Sequence, residues 1–171
     1  ISLHIDQFND INGVDLAIKY DANSVSHIDL TKEEKLYILG KKNIVGIIFP
    51  IERLIFSKEP KRGREIIDSG VPLSISTDFN PGTSPSLNFP LIISLSVIRE
   101  GLTVEEAINA STINSAYALN LSDEIGSIEK GKRADLIIFE LDSYKKIPYF
   151  VGMNFIKYVI INGEVMKVVW Q

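Results

Sequence analysis

Four short apolar runs, Ile1 to Ile5, Ser24 to His27, Ile44 to Phe49 and Val71 to Ser76, recur along the first half of the chain. Segments of helical character separate them, and the starts fall roughly 20 to 28 residues apart, a βα rhythm. Parallel strands cannot be joined by tight turns; they need a crossover of about a dozen residues or more, usually a helix. This spacing therefore predicts an α/β chain whose strands form a parallel sheet. Its natural count is half of a (β/α)8 barrel of TIM type.

The connecting segments carry their own signals. Asn12-Gly13 precedes a short helical stretch, Val14 to Tyr20, with Val14, Ala17 and Ile18 on one face. Thr31-Lys32-Glu33-Glu34 reads as a capping box, Leu36 and Leu39 as an inward face, and Gly40 as a left-handed helix end. The helix carrying Ile66 and Ile67 ends at Ser69-Gly70. After Pro90 a helix is expected from Leu91 to Glu100 with Gly101 as its stop. Thr103-Val104-Glu105-Glu106 then opens a second helix that runs to about Leu119, kept slim by Ala107, Ala110, Ala116 and Ala118.

From Ile125 the pattern turns to β. Gly126 and Gly131 mark turns, Ala134 to Leu141 is an apolar strand, and Phe155 to Ile161 and Glu164 to Val169 flank Asn162-Gly163, a strong hairpin signal. Short loops cannot bring these strands into a parallel barrel. The expected division is residues 1–122 as the C-terminal half of a barrel with extra helices, and residues 123–171 as strands of a small antiparallel β domain.

A chain of 171 residues with 45% hydrophobic content buries a sizeable core and lies outside the disordered class. Its net charge of −4, with acids and bases interspersed, argues against nucleic acid as a partner. The basic cluster Lys58 to Arg64 reads as a solvated loop ahead of a helix. Cysteine is absent, which excludes disulfides and thiolate metal sites and suits a cytoplasmic location. No apolar run reaches the roughly 18 residues of a membrane span, so no membrane partner is expected. The chain begins with Ile1 inside a strand-like run, and the expectation is that it is the C-terminal part of a longer protein.

The residues suited to chemistry gather at strand ends. The run from Ser74 ends in Asp78 and a rigid polar loop, Phe79-Asn80-Pro81-Gly82-Thr83-Ser84-Pro85. A buried strand releases such a charge where water, a metal or a substrate can meet it, as at the C-terminal rim of parallel barrels. The blander alternative is a helix N-cap or turn acid. The two histidines, His4 and His27, also stand at strand ends, and three ionisable groups on one rim would converge on the axis. His4 and Asp78 suit a dication such as Zn²⁺ or Fe²⁺, but a catalytic zinc usually holds three protein ligands and a water. At least one further ligand is therefore expected from outside this segment.

His4-Ile5-Asp6-Gln7, Ser24-Val25-Ser26-His27 and the loop Ser76 to Pro85 resemble the amidohydrolase superfamily and, within it, the imidazolonepropionase family. Ala110-Ser111-Thr112-Ile113-Asn114-Ser115-Ala116-Tyr117-Ala118-Leu119 and Gly126 to Leu136 are similar to the superfamily's shared C-terminal signature. The resemblance spans essentially the whole chain and implies one metal per subunit, Zn²⁺ or Fe²⁺/Fe³⁺, held by His4 from strand five and Asp78 from strand eight. It implies that His27 is the acid/base histidine at the end of strand six and that Asn80, Gly82 and Thr83 contact substrate. Gln7 stands where many members have Glu; an amide cannot act as a base, so a substrate-orienting hydrogen bond is what remains. The family's His-x-His pair is absent from this sequence.

The implied reaction is hydrolytic opening of 4-imidazolone-5-propanoate to N-formimidoyl-L-glutamate in histidine degradation. In it the metal lowers the pKa of water toward about 7, Asp78 takes the proton, and His27 stabilises the oxyanion. Backbone N–H groups of the Asn80 to Ser84 loop would bind the anionic tail as a nest. Two other readings stand beside it. One is a purine or pyrimidine aminohydrolase, which Gln7 disfavours. The other is an inactive half-barrel binding module, whose open edges would need the missing N-terminal half or a homodimer to cover them.

Overall fold

A computed structural model describes residues 1–166. The four apolar runs form β1 (Ser2–Ile5), β2 (Ser24–His27), β3 (Val45–Ile48) and β4 (Leu73–Ile75). They make one parallel sheet in the order β1-β2-β3-β4, with Ile5 opposite His27 and Gly46 opposite Leu73. Every residue of β4 is buried, which is why that strand is apolar throughout rather than alternating.

The crossovers are α1 (Gly13–Lys19), α2 (Glu33–Lys41), then α3 (Pro50–Ile55) with α4 (Arg62–Asp68). Two readings of α2 are corrected here. Thr31 does not cap it: its hydroxyl donates to the buried carboxylate of Asp6 at 2.7 Å, and Lys32 occupies the N-cap without a side-chain bond. Nor does Gly40 end it. Gly40 lies within the helix, and the left-handed residue is Asn43 (φ 53°). The missing side chain at Gly40 serves packing, since a Cβ there would stand 2.8 Å from the carbonyl carbon of Gly70.

After β4 come α5 (Phe89–Ile98), α6 (Val104–Ser111) and α7 (Ile113–Ala118). Asn88 caps α5 by accepting from Leu91 N at 3.0 Å. The Thr103 capping box forms as expected, with Glu106 reaching back to the Thr103 N–H. The single helix expected through Leu119 breaks instead at Thr112 (φ −126°, ψ −95°). The hydroxyls of Ser111 and Thr112 both donate to the Ile108 carbonyl, at 2.8 and 2.7 Å, and this side-chain competition disrupts the helical ladder. Beyond the break, Asn114 Nδ2 donates to Leu73 O at 2.8 Å, which ties α7 to β4.

A second, antiparallel sheet is built from β5 (Leu136–Phe139), β6 (Ile156–Ile161) and β7 (Glu164–Met166). Asn162 and Gly163 are both left-handed (φ 57° and 82°), the backbone that a two-residue hairpin turn requires. The expected continuation of β7 to Val169 lies outside the described residues. A short α8 (Lys146–Tyr149), which the sequence pattern did not reveal, packs against α5. Through it Ile147 joins the core made by Val14, Val25, Leu36, Ile48, Leu73 and Ile92, and Phe139 and Leu141 pack against the same core. No helix among the described residues is long and apolar enough to cross a membrane.

Candidate active site

Three of the four parallel strands end in left-handed backbone. Asp6 (φ 52°) follows β1, His27 and Ile28 (φ 72° and 51°) close β2, and Asp78 (φ 47°) follows β4. Such conformations cost about 1–3 kcal/mol each and gather where a fold holds side chains for function. Asp6 is the anchor of this rim. Its carboxylate is 3% exposed and accepts from Ile11 N, Gly13 N and the Thr31 hydroxyl, tying the loops after β1 and β2 together.

His4 and His27 meet. Their ring centroids lie 4.0 Å apart, and the His27 ring also packs on Phe49 at 4.6 Å. His4 is exposed, whereas His27 is 1% exposed and neither of its ring nitrogens has a hydrogen-bond partner. Buried polar atoms are normally satisfied, so an imidazole held this way is poised for a group brought from outside. The donor types around it fit a dication: two imidazoles in contact, with the Asp78 carboxyl half-buried past β4. His4 nevertheless lies in β1 and Asp78 follows β4, the two opposite edge strands of the sheet. Among the described residues no set of three mutually close ligating side chains includes either.

The loop after Asp78 is organised by Asn80. Asn80 Oδ1 accepts from Gly82 N at 2.9 Å and Thr83 N at 2.7 Å, and Asn80 Nδ2 donates to Asp78 O at 2.7 Å. Asn80 N donates to Ser84 O, and the buried Ser84 hydroxyl donates to Thr77 O at 2.5 Å. The expected anion nest is therefore corrected. The amides of Asn80, Gly82 and Thr83 are turned onto the loop's own oxygens, so their effect is to fix the backbone around Asp78.

Behind the histidines lies a charged network that sequence inspection missed. Arg53, 2% exposed, donates from Nε to Glu100 at 3.0 Å, from Nη1 to Asp29 and from Nη2 to Glu59 O at 2.6 Å. Lys58 donates to Asp29 at 2.6 Å and to Glu52 Oε1 at 3.0 Å, and Gln7 Nε2 donates to the same Glu52 oxygen at 3.1 Å. The Lys58 to Arg64 cluster is thus not a solvated loop: Lys58 enters this network, and Arg62 donates to Ile28 O and Thr31 O. Burial raises the Asp29 carboxyl, but His27, whose Nδ1 lies 3.8 Å from Oδ2 and so faces it without a hydrogen bond, together with Lys58 and Arg53, overcomes this and holds the group below the usual carboxylate range.

Ligating atoms of His27, Asp29 and Glu52 lie within 4.8 Å of one another, yet Lys58 and Arg53 already occupy the cation positions of the two acids. An open cleft of about 620 Å³ borders this network beside Gln7, Phe8 and Lys58. The sequence did hold one signal for Glu52: like Asp78, it is an acid just past an apolar strand-like run.

Residues 14–166 match the amidohydrolase family. The chain is 41% identical over 165 residues to an imidazolonepropionase of Flavobacterium johnsoniae, covering 96% of this chain and 40% of that protein. The imidazolonepropionase of Bacteroides fragilis is 38% identical over 161 residues, with 94% and 39% covered. The chain thus spans about 40% of the length of these curated relatives. Among solved structures it is similar in fold to an adenosine deaminase of Xanthomonas campestris with bound zinc, with a TM-score of 0.81 at 20% identity over 96% of this chain and 44% of that one. A zinc-complexed atrazine chlorohydrolase of Arthrobacter aurescens gives 0.80 at 17% identity, covering 96% and 43%.

Proposed function

This chain belongs to the amidohydrolase family, and on that premise we propose that it is the C-terminal part of an imidazolonepropionase. The reaction is hydrolysis of 4-imidazolone-5-propanoate: water adds to the ring carbonyl, the ring C–N bond breaks, and N-formimidoyl-L-glutamate leaves. The observation that carries this reading is the 41% identity along 165 residues; the partnerless, buried His27 beside His4 supports it. Residues 1–122 would be half of a (β/α)8 barrel and residues 123–171 part of a small β domain. The remaining barrel strands and metal ligands would come from chain outside this sequence. The protein would act in the cytoplasm, and a homodimer is the proposed assembly.

His4 and Asp78 would hold a divalent metal, zinc or iron. Such a cation supplies Lewis acidity, polarising the substrate carbonyl and acidifying water. Asp78 accepts the proton of the attacking water, and its place beside the Asn80-ordered loop keeps that carboxylate in one position. His27 donates toward the oxygen that becomes anionic, using a ring nitrogen that no protein group claims. Gln7, Asn80, Gly82 and Thr83 line the substrate's approach, Gln7 as a hydrogen-bonding amide rather than a base.

The test is to incubate the intact protein with 4-imidazolone-5-propanoate and follow loss of the ring absorbance and appearance of N-formimidoylglutamate by mass spectrometry. Ammonia release from a purine or pyrimidine instead would move the chain to the aminohydrolases. No turnover by a protein that binds the substrate would make it a binding module.

A further inference from the structure

We infer that Arg62 is a positioning residue for His27: from the start of α4 it clamps the left-handed backbone that closes β2 and so sets where the His27 ring points. The inference rests on the proposed hydrolase, in which His27 donates to the developing oxyanion. A working imidazole is commonly aimed by a hydrogen bond on its second nitrogen. Neither ring nitrogen of His27 has such a partner among the described residues. Its direction therefore comes from the rings of His4 and Phe49 packed against it and from its own backbone, and that backbone is strained. His27 and Ile28 have φ values of 72° and 51°, a conformation that non-glycine residues rarely adopt and that a β-branched residue such as Ile28 resists most.

Contacts from two sides hold the turn. From β1, Ile5 O accepts from Ile28 N at 3.2 Å and Asp6 O accepts from Leu30 N at 3.0 Å. From α4, Arg62 Nε and Nη2 both donate to Ile28 O, at 3.2 and 2.7 Å, and Nη2 also donates to Thr31 O. Its remaining nitrogen, Nη1, donates to Glu65 at 3.0 Å, so the side chain, 13% exposed, is fully engaged. The Ile28 side chain is buried over Gly46 of β3, where an added Cβ would stand 2.6 Å from Ile28 Cδ1. With the side chain and N–H of Ile28 fixed, its carbonyl is the end of the turn left to hold, and Arg62 holds it. A lysine ammonium is a point charge on a flexible stem and does not reproduce a planar fork that reaches two carbonyls.

The test is a double-mutant cycle on the intact protein, with kcat and KM for 4-imidazolone-5-propanoate and metal content measured for each variant. Arg62→Met should lower kcat about 10- to 100-fold, the scale of a small misplacement of a reacting group, with KM within about twofold of wild type and metal content unchanged. In a His27→Ala background the same change should cost less than about twofold in kcat, because the ring it acts through is gone. Arg62→Lys keeps the charge and should lose about 3- to 10-fold where His27 is present and nothing where it is absent, which preserves the comparison should the Met variant fail to fold. Equal losses in the two backgrounds, or wild-type kcat in both Arg62 variants, overturn the positioning role while leaving the hydrolase reading intact. A wild-type protein that does not turn over this substrate overturns both.

Discussion

Replacing Arg53 by Met should destabilise the protein by about 4 kcal/mol, within the roughly 3–5 kcal/mol expected when one partner of a buried ion pair is removed. The guanidinium is 2% exposed and all three of its nitrogens are engaged. Met matches its length and removes only the donors and the charge. Asp29 would keep Lys58, but Glu100, fully buried, would be left with a single backbone donor, Gly63 N at 3.3 Å. Most of the loss should therefore sit on Glu100. Removing that acid as well, in Arg53→Met/Glu100→Leu, should recover about half of the loss, because the uncompensated charge is gone. Urea unfolding followed by far-ultraviolet circular dichroism gives both numbers. With an m-value of about 2 kcal/mol/M the single variant's midpoint falls by about 2 M. A single-variant loss under about 1 kcal/mol, or a double variant no more stable than the single, would refute the claim that these charges are held out of water.

Four further outcomes follow from the same geometry. His4→Ala and Asp78→Ala should each empty the metal site, read by elemental analysis; full metal content with undiminished turnover in both sinks the ligand assignment. His27→Ala should keep its metal and lose about 10²-fold or more in kcat, the scale of an oxyanion-stabilising donor; equal loss of metal would make His27 a ligand instead. Asp29 lies below its ordinary range in the folded state, so its contribution is complete above the unfolded value of about 3.9 and disappears as pH falls through the lower folded value. Stability should fall as pH drops below about 4 in wild type and more gently in Asp29→Asn; parallel curves would contradict this. Gly40→Ala should destabilise by about 1–3 kcal/mol because the added carbon meets the unyielding Gly70 backbone; a gain from improved helix propensity would show that the backbones separate freely.

Periodicity disclosed the fold where burial is simple. Apolar runs at βα spacing became β1 to β4, and Thr103 with Glu106 became a capping box, because both signals are local. The failures share one cause, a distant partner overriding a local preference. Thr31 had the right neighbours to cap α2 but was drawn to Asp6, 25 residues away, and Gly40 was set by contact with Gly70 rather than by its own conformational freedom. The break at Thr112 came from two hydroxyls competing for one carbonyl, and propensity scales assign those residues little penalty.

The candidate site divides along the same line. His4 and His27 were conspicuous as polar groups ending apolar runs, and they do meet in space; Asp78, singled out by the same signal, stands past the opposite edge strand. Asp29, Glu52, Arg53, Lys58 and Glu100 were not legible: their partners lie 24 to 47 residues apart for all but the Glu52–Lys58 pair, and no repeat relates them. Charged residues look solvated in a sequence because most are. What reverses that default is mutual compensation. Three carboxylates gathered around Arg53 and Lys58 can be buried together although none of them could be buried alone. Gln7 links this network to the rim: a neutral amide placed between Glu52 and His4, 3.1 Å from each, carries no charge to the strand ends. A carboxylate at position 7 would instead confront Glu52 oxygen to oxygen, so the amide suits this neighbour in a way that glutamate would not.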